Sequence, residues 1–256
     1  MTEIKEDSLN IAMVGYYNTL PFLYGLQKSD AFNLILDFPS RCMDYYLKGE
    51  ADIALVPVAA LRDRTDYKIV TDYCIGCIGS VRTVCLFTNS DLKEVTTIYL
   101  DQDSRTSQLL VKILCEKSWN IQPTFEECDV RNILPENLKF NEAILMIGDK
   151  VFEKEESFQN NHDLGVAWQN LTGLPFTFAV WIARKHVSTN IISELNQVLG
   201  QGVNNIEAVL KENKTLATKI ELSEYFSTYI NFHFDADKKE ALSQFFEFKA
   251  RHFSTV

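Results

Sequence analysis

Val81-Arg82-Thr83-Val84-Cys85-Leu86-Phe87-Thr88 is the stretch that decides the fold, read with its counterpart Leu174-Pro175-Phe176-Thr177-Phe178-Ala179-Val180-Trp181-Ile182-Ala183. Each is apolar over most of its length and reads as a long strand buried over much of that length. Between them lies a segment with its own strand (Thr96 to Leu100), helix (after Ser104) and strand (Ala143 to Ile147). In that helix Leu109, Leu110, Ile113 and Leu114 recur at three- and four-residue spacing, which gives it one buried face. The chain is therefore expected to leave a first lobe, build a second and return, with the two apolar strands as crossovers. This places lobe one at residues 1–88 plus 178–256 and lobe two at 89–177.

Working outward, Leu9 to Val14, Phe32 to Phe38, Ala51 to Val56 and Tyr67 to Tyr73 read as strands, with a helix over Ser40 to Lys48 capped by Ser40. Gly76 to Gly79 is a turn whose glycines allow close approach to a ligand. After the second crossover the chain is mostly helical, at Ile191 to Leu199, Ile206 to Lys211 and beyond Asp235, where Leu242, Phe245 and Phe246 share a face. Strands alternating with amphipathic helices are the signature of βαβ units around mainly parallel sheets, which specifies an α/β fold. The topology resembles that of type 2 periplasmic-binding-protein folds, and the resemblance implies mixed sheets and a ligand cleft between two lobes.

With 256 residues, 46% of them hydrophobic, the chain can bury a substantial core. Its 25 basic and 35 acidic residues give a net charge of −10 with no basic block, which argues against a nucleic-acid partner. An anionic small molecule must then be held by local devices, an arginine or a helix N-terminus. The start MTEIKEDSLNIAMVGYY is acidic and unlike a secretory leader, and no apolar run approaches the roughly 18 to 20 residues that span a bilayer. A cytoplasmic protein with no membrane partner is expected. Six cysteines lie mostly in apolar segments, as reduced buried thiols do, and Cys74-Ile-Gly-Cys77 lacks the second pair that would complete a zinc site. Neither a complete metal site nor a nucleotide loop is visible, so no cofactor and no metal are implied, and nothing specifies an oligomeric state.

Three short segments carry candidate chemistry. In Tyr17-Asn18-Thr19-Leu20-Pro21 a strand has just ended and Asn18 or Thr19 would cap a helix whose free amides could receive a carboxylate; the alternative is that Asn18 is only a cap. In Gly79-Ser80-Val81-Arg82-Thr83 the single guanidinium either clamps a carboxylate or pairs with a surface acid, and strand alternation sets Arg82 opposite to Val81 and Thr83. Asp101-Gln102-Asp103-Ser104-Arg105-Thr106-Ser107 opens a helix whose amides and hydroxyls favour an anion, although capping by Ser104 alone would explain it. Asp149 ends the strand Ala143 to Ile147 as a cap or ligand anchor, and Trp168 either lines the cleft or packs.

Asn18-Thr19-Leu20-Pro21, Asp52-Ile53-Ala54-Leu55-Val56-Pro57, Asp101 with Ser104-Arg105-Thr106-Ser107, Ile147-Gly148-Asp149, Asp163-Leu164-Gly165 through Trp168, Thr172-Gly173-Leu174-Pro175-Phe176 and Trp181 resemble, in order, the motifs of the chorismate dehydratases of the futalosine route to menaquinone. The resemblance spans about residues 9 to 184. It implies an enzyme, a carbon-oxygen lyase that removes water from chorismate to give 3-[(1-carboxyvinyl)oxy]benzoate. The family's Gly-Pro-Val-Ala-Ser-Val run is here Gly79-Ser80-Val81-Arg82-Thr83-Val84, so Thr83 stands for the serine. On this basis Asn18, Thr83 and Ser80 form the catalytic set, and Thr19, Arg82, Ser104, Arg105, Thr106, Ser107, Asp149 and Trp168 the substrate-binding set for a small dicarboxylate. With no histidine in the motifs, the substrate's own enolpyruvyl carboxylate is the expected proton acceptor. Two alternatives stand beside this: 1,4-dihydroxy-6-naphthoate synthase of the same route, which would want a histidine base and finds only His162 nearby, read as a surface loop residue, and a non-enzymatic solute-binding module.

Overall fold

A computed structural model describes residues 8–61, 66–215 and 221–252; the first seven residues, part of the stretch judged unlike a leader, lie outside it. The chain divides into two compact units, Met1–Ile75 with Thr177–Asp235 and Gly76–Phe176 with Ala236–Val256. Among the described residues no helix is long and apolar enough to cross a membrane.

The first unit is built on strands β1 (Leu9–Val14), β2 (Phe32–Asp37), β3 (Ile53–Pro57), β4 (Tyr67–Cys77), β10 (Phe176–Arg184) and β11 (Asn231–His233), in the order β11-β4-β10-β3-β1-β2. β1 is parallel to β2 and β3, whereas β10 runs antiparallel to β3 with Trp181 opposite Leu55, so the sheet is mixed. Ile11, Ala12 and Met13 have no exposed surface, as the continuous apolar run predicts for a central strand. Helix α2 (Pro39–Lys48) begins one residue earlier than read: Pro39 supplies the preset φ of the first helical position, and Ser40 lies inside the helix rather than at its cap. Helices α1 (Leu20–Leu26) and α6 (Thr189–Val203) meet backbone to backbone. A Cβ on Gly202 would lie 1.7 Å from the Pro21 carbonyl oxygen, and one on Gly25 1.9 Å from that of Val198. From α1, Phe22 meets Trp181, Phe232 and Tyr73 edge-on at 5.7, 5.4 and 6.3 Å between ring centroids. Each fully buried ring or aliphatic chain in this layer contributes about 1.5–3 kcal/mol. Helix α7 (Ile206–Glu212) and the short turn α8 (Leu222–Glu224) complete the unit.

The second unit's sheet has the order β7-β6-β8-β5-β9, from β5 (Val84–Thr88), β6 (Thr97–Asp101), β7 (Thr124–Cys128), β8 (Glu142–Ile147) and β9 (Asn160–Asp163). β6 is parallel to β7 and β8, and β5 is antiparallel to β8 and β9. Alternate residues Cys85 and Phe87 of β5 join Ile144 and Met146 of β8 in one apolar cluster with Val130, Leu138 and Val151. Helices α3 (Arg105–Leu114), α4 (Lys150–Lys154), α5 (Leu164–Thr172) and α9 (Ala236–His252) cover the sheet, with Phe245 of α9 edge-on to Trp168 and Phe176. Here the expected lobe boundaries need correcting. Residues 76–88 belong with the second unit because β5 is hydrogen-bonded on both sides within its sheet. The closing helix belongs there too, since its aromatic face packs on Trp168 and Phe176. Burial pushes the Cys42 and Cys115 thiols up to about 12, which leaves them unreactive core groups.

Candidate functional site

In the first unit β1 ends at Val14, and a single 3-10 turn (Tyr17–Thr19) leads directly into α1. Thr19 is already helical (φ −104°, ψ −1°), so no extended residue precedes α1 and neither Asn18 nor Thr19 caps it by a side chain. That corrects the expected cap. The Thr19 hydroxyl instead donates to the carbonyls of Val14 (2.7 Å) and Tyr16 (2.8 Å), locking the turn to the end of β1. Among the described residues, Asn18 Oδ1 is enclosed and has no hydrogen-bond partner. A buried acceptor left unpaired costs about 1–3 kcal/mol.

In the second unit the turn Gly79–Thr83 precedes β5 and is not part of it, because the regular strand starts only at Val84. Gly79 (φ +76°) and Arg82 (φ +62°) both take the left-handed conformation, and Arg82 does so despite its side chain. Strand alternation therefore does not govern Arg82 and Thr83. The Arg82 guanidinium pairs with Glu155 at 3.0 Å over the Phe152 ring, which is the acid-pairing alternative and not a carboxylate clamp. Thr83 is 1% exposed, its amide donates to the Val81 carbonyl at 2.7 Å, and its own carbonyl accepts the Gly148 amide. The Ser80 hydroxyl donates to Asp163 at 2.7 Å.

The end of β6 presents the second cluster. Ser104 caps α3 as read: its Oγ accepts the Ser107 amide at 3.2 Å and donates to the Ser107 hydroxyl at 2.8 Å. Ser104, Thr106 and Ser107 are buried, and Arg105 is exposed. The first amides of α3 have no intrahelical acceptor, and shielding from water strengthens their pull on an anion. Asp101, fully buried, accepts the amides of Asp103 (3.1 Å) and Ile147 (3.2 Å). Lys150 sits 2.6 Å from Asp101 and 3.1 Å from Asp103, and Arg131 is 3.7 Å from Asp103, so the two carboxylates near this helix start are neutralised rather than left to repel an anion. Burial raises the Asp101 carboxyl above its ordinary range, and Lys150 opposes the shift.

Three expectations come out differently. Asp149 stands where a cap would, but it is helical (φ −63°, ψ −24°) and makes no side-chain cap bond. Trp168 has no exposed surface and its indole N–H donates to the Pro175 carbonyl at 3.0 Å, so packing among Phe176, Phe245 and Phe248 replaces the expected substrate contact. His162 is not in a loop: it lies on β9 opposite Leu86, its Nε2 is enclosed without a hydrogen-bond partner among the described residues, and burial lowers its pKa. Asp163 was read only as a member of a motif, yet it accepts the amides of Val81, Arg82, Gly165 and Val166 as well as the Ser80 hydroxyl. An aspartate directly before Leu164-Gly165 carries the signal of a helix cap, and that half of its role was open to sequence reading.

A family model described as menaquinone biosynthesis matches residues 9–251. A protein of Thermus thermophilus named chorismate dehydratase is 23% identical over 253 residues, covering 91% of this chain and 92% of its own. Among solved structures, an Archaeoglobus fulgidus protein superposes with a TM-score of 0.73 at 13% identity, covering 96% of this chain and 98% of its own. A conserved Candida albicans gene product, described as having the generic periplasmic-binding-protein fold, gives 0.66 at 11% identity, covering 97% and 92%. The fold of this chain is periplasmic-binding-protein-like, with two mixed sheets.

Proposed function

From the premise that this chain belongs to the menaquinone biosynthesis family, we propose that it is a chorismate dehydratase acting in the cytoplasm. The observation that carries the reading is the Thermus thermophilus chorismate dehydratase, aligned over 91% of this chain, together with the ordered motifs from Asn18 to Trp181.

Chorismate carries two carboxylates and an allylic hydroxyl on a ring that becomes aromatic when water leaves. Aromatisation supplies the driving force, so the protein's task is to hold the substrate and ease departure of the hydroxyl. The start of α3, with the Arg105 amide and the hydroxyl of Ser107, takes a carboxylate, and the Lys150 ammonium keeps Asp101 and Asp103 from opposing it. Thr83, whose hydroxyl makes a long 3.4 Å bond to the Val81 carbonyl, is the hydroxyl donor toward the departing group. Ser80 leaves the catalytic set, because its hydroxyl is directed at Asp163. The proton is taken by the substrate's enolpyruvyl carboxylate.

The test is direct. Purified protein is incubated with chorismate and the aromatic enol ether is followed by absorbance and chromatography. Steady formation of 3-[(1-carboxyvinyl)oxy]benzoate is expected, with turnover lost in Asn18→Ala and in Thr83→Ala. Turnover of a cyclic futalosine derivative instead would place the chain with 1,4-dihydroxy-6-naphthoate synthases, and binding without turnover would indicate a solute-binding module.

A further inference from the structure

The Asp163 carboxylate joins two segments far apart in sequence. Oδ1 accepts the amides of Gly165 (2.8 Å) and Val166 (3.1 Å) at the start of α5, while Oδ2 accepts the Ser80 hydroxyl (2.7 Å) and the amides of Val81 (3.0 Å) and Arg82 (2.7 Å). One side chain thus caps a helix and fixes three consecutive residues of the turn before β5. The contact is tight on the backbone side as well. A Cβ on Gly165 would lie 2.3 Å from the Gly79 carbonyl oxygen and 2.7 Å from Cys77 Sγ.

A turn of this shape does not hold itself. Arg82 sits at φ +62°, a region a side-chain-bearing residue occupies only when its surroundings over-determine it. Its amide is held by Asp163 and its guanidinium by Glu155. The next residue is Thr83, bonded through its amide to Val81 and through its carbonyl to Gly148. The Thr83 hydroxyl itself donates to the Val81 carbonyl at 3.4 Å, so its direction is set by the Ser80-Val81-Arg82 backbone, and that backbone is held by Asp163.

We propose that Asp163 is a positioning residue that acts through Ser80, Val81 and Arg82 to aim Thr83 at the departing hydroxyl; the proposal rests on the dehydratase reading above. kcat and KM for chorismate are measured for the wild type, Asp163→Asn, Ser80→Ala and the double variant. Asparagine keeps the volume but offers one acceptor oxygen, so the kcat of Asp163→Asn is expected to fall about 10- to 100-fold, as for a misplacement of order 1 Å, with KM changed less than about threefold. Ser80→Ala lowers kcat less, and the double variant is no slower than Asp163→Asn alone, because both changes cut the same link. An unchanged kcat in Asp163→Asn, or losses that multiply in the double variant, overturns the proposal. If Asp163→Asn does not fold, Ser80→Ala decides, and an unchanged kcat in that variant overturns the proposal. A wild type that leaves chorismate intact sinks the dehydratase reading and this proposal with it; an active wild type with indifferent variants sinks the positioning role alone.

Discussion

Asp101 shows how much one buried charge can organise. Its carboxylate is 1% exposed, bonded to two amides and paired with a Lys150 ammonium whose side chain is 13% exposed. Removing one partner of such a pair costs about 3–5 kcal/mol, since the remaining charge is stranded in the interior. Lys150→Met is therefore expected to lose about 3 kcal/mol at neutral pH in urea denaturation. The pH dependence follows from the direction of the shift. A carboxyl whose folded pKa is raised binds its proton more tightly in the native state, so stability falls as pH climbs from the ordinary carboxylate value of 3.8 through the raised one. Without Lys150 to oppose it the rise is larger, so the gap between variant and wild type should be widest near pH 7 and narrow toward pH 4. An equal gap at both would show that the lost lysine acted by packing alone. His162 gives the opposite sign: burial lowers its folded pKa below 6.5, so its contribution is present above that value and lost as pH falls through it. His162→Gln should flatten the stability profile between about pH 5 and 7. Sequence reading found Ser104 as a cap because that role is local, whereas the Asp101–Lys150 pair joins residues 49 positions apart that only the pairing of β6 with β8 brings together.

At the scale of elements, the apolar strands were legible and the polar ones were not. β1 spans Leu9–Val14 as read, and β8 and β10 fall within two residues of their expected limits. By contrast β7 (Thr-Phe-Glu-Glu-Cys) and β9 (Asn-Asn-His-Asp) left no signal, because each is an edge strand held by backbone bonds to one neighbour and mostly open to water. The α1–α6 contact was invisible for a related reason: a glycine in a helix reads as a weak helix former, not as the point where two backbones touch. Gly202→Ala discriminates between these readings. Intrinsic propensity favours alanine by about 1 kcal/mol, but the new methyl would stand 1.7 Å from the Pro21 carbonyl oxygen. Net destabilisation of about 2 kcal/mol is expected, seen as a lower Tm. An unchanged or raised Tm would mean that the helices separate freely. Ser104→Ala tests the cap of α3 and should cost about 1 kcal/mol in the same assay.

Over the whole molecule the net charge of −10 opposes a dianionic ligand, and only local groups such as the α3 amides counter it. Screening weakens the long-range repulsion more than it weakens contacts in a buried site. KM for chorismate should thus fall as ionic strength rises from about 0.01 to 0.15 M, and a rise would show that local positive charge dominates the approach. The amino-acid sequence by itself determined the α/β class, the alternation of strands and helices, and the helix cap at Ser104, because hydrophobic period and capping chemistry act within a few residues. Only the tertiary structure decided that β5 and the closing helix belong with the second unit, that Trp168 is core, that Arg82 answers Glu155, and that Asp163 governs the turn before Thr83. Those outcomes depend on which distant segments share a sheet or a packing face, and the energy of such contacts is not written in any local window of the chain.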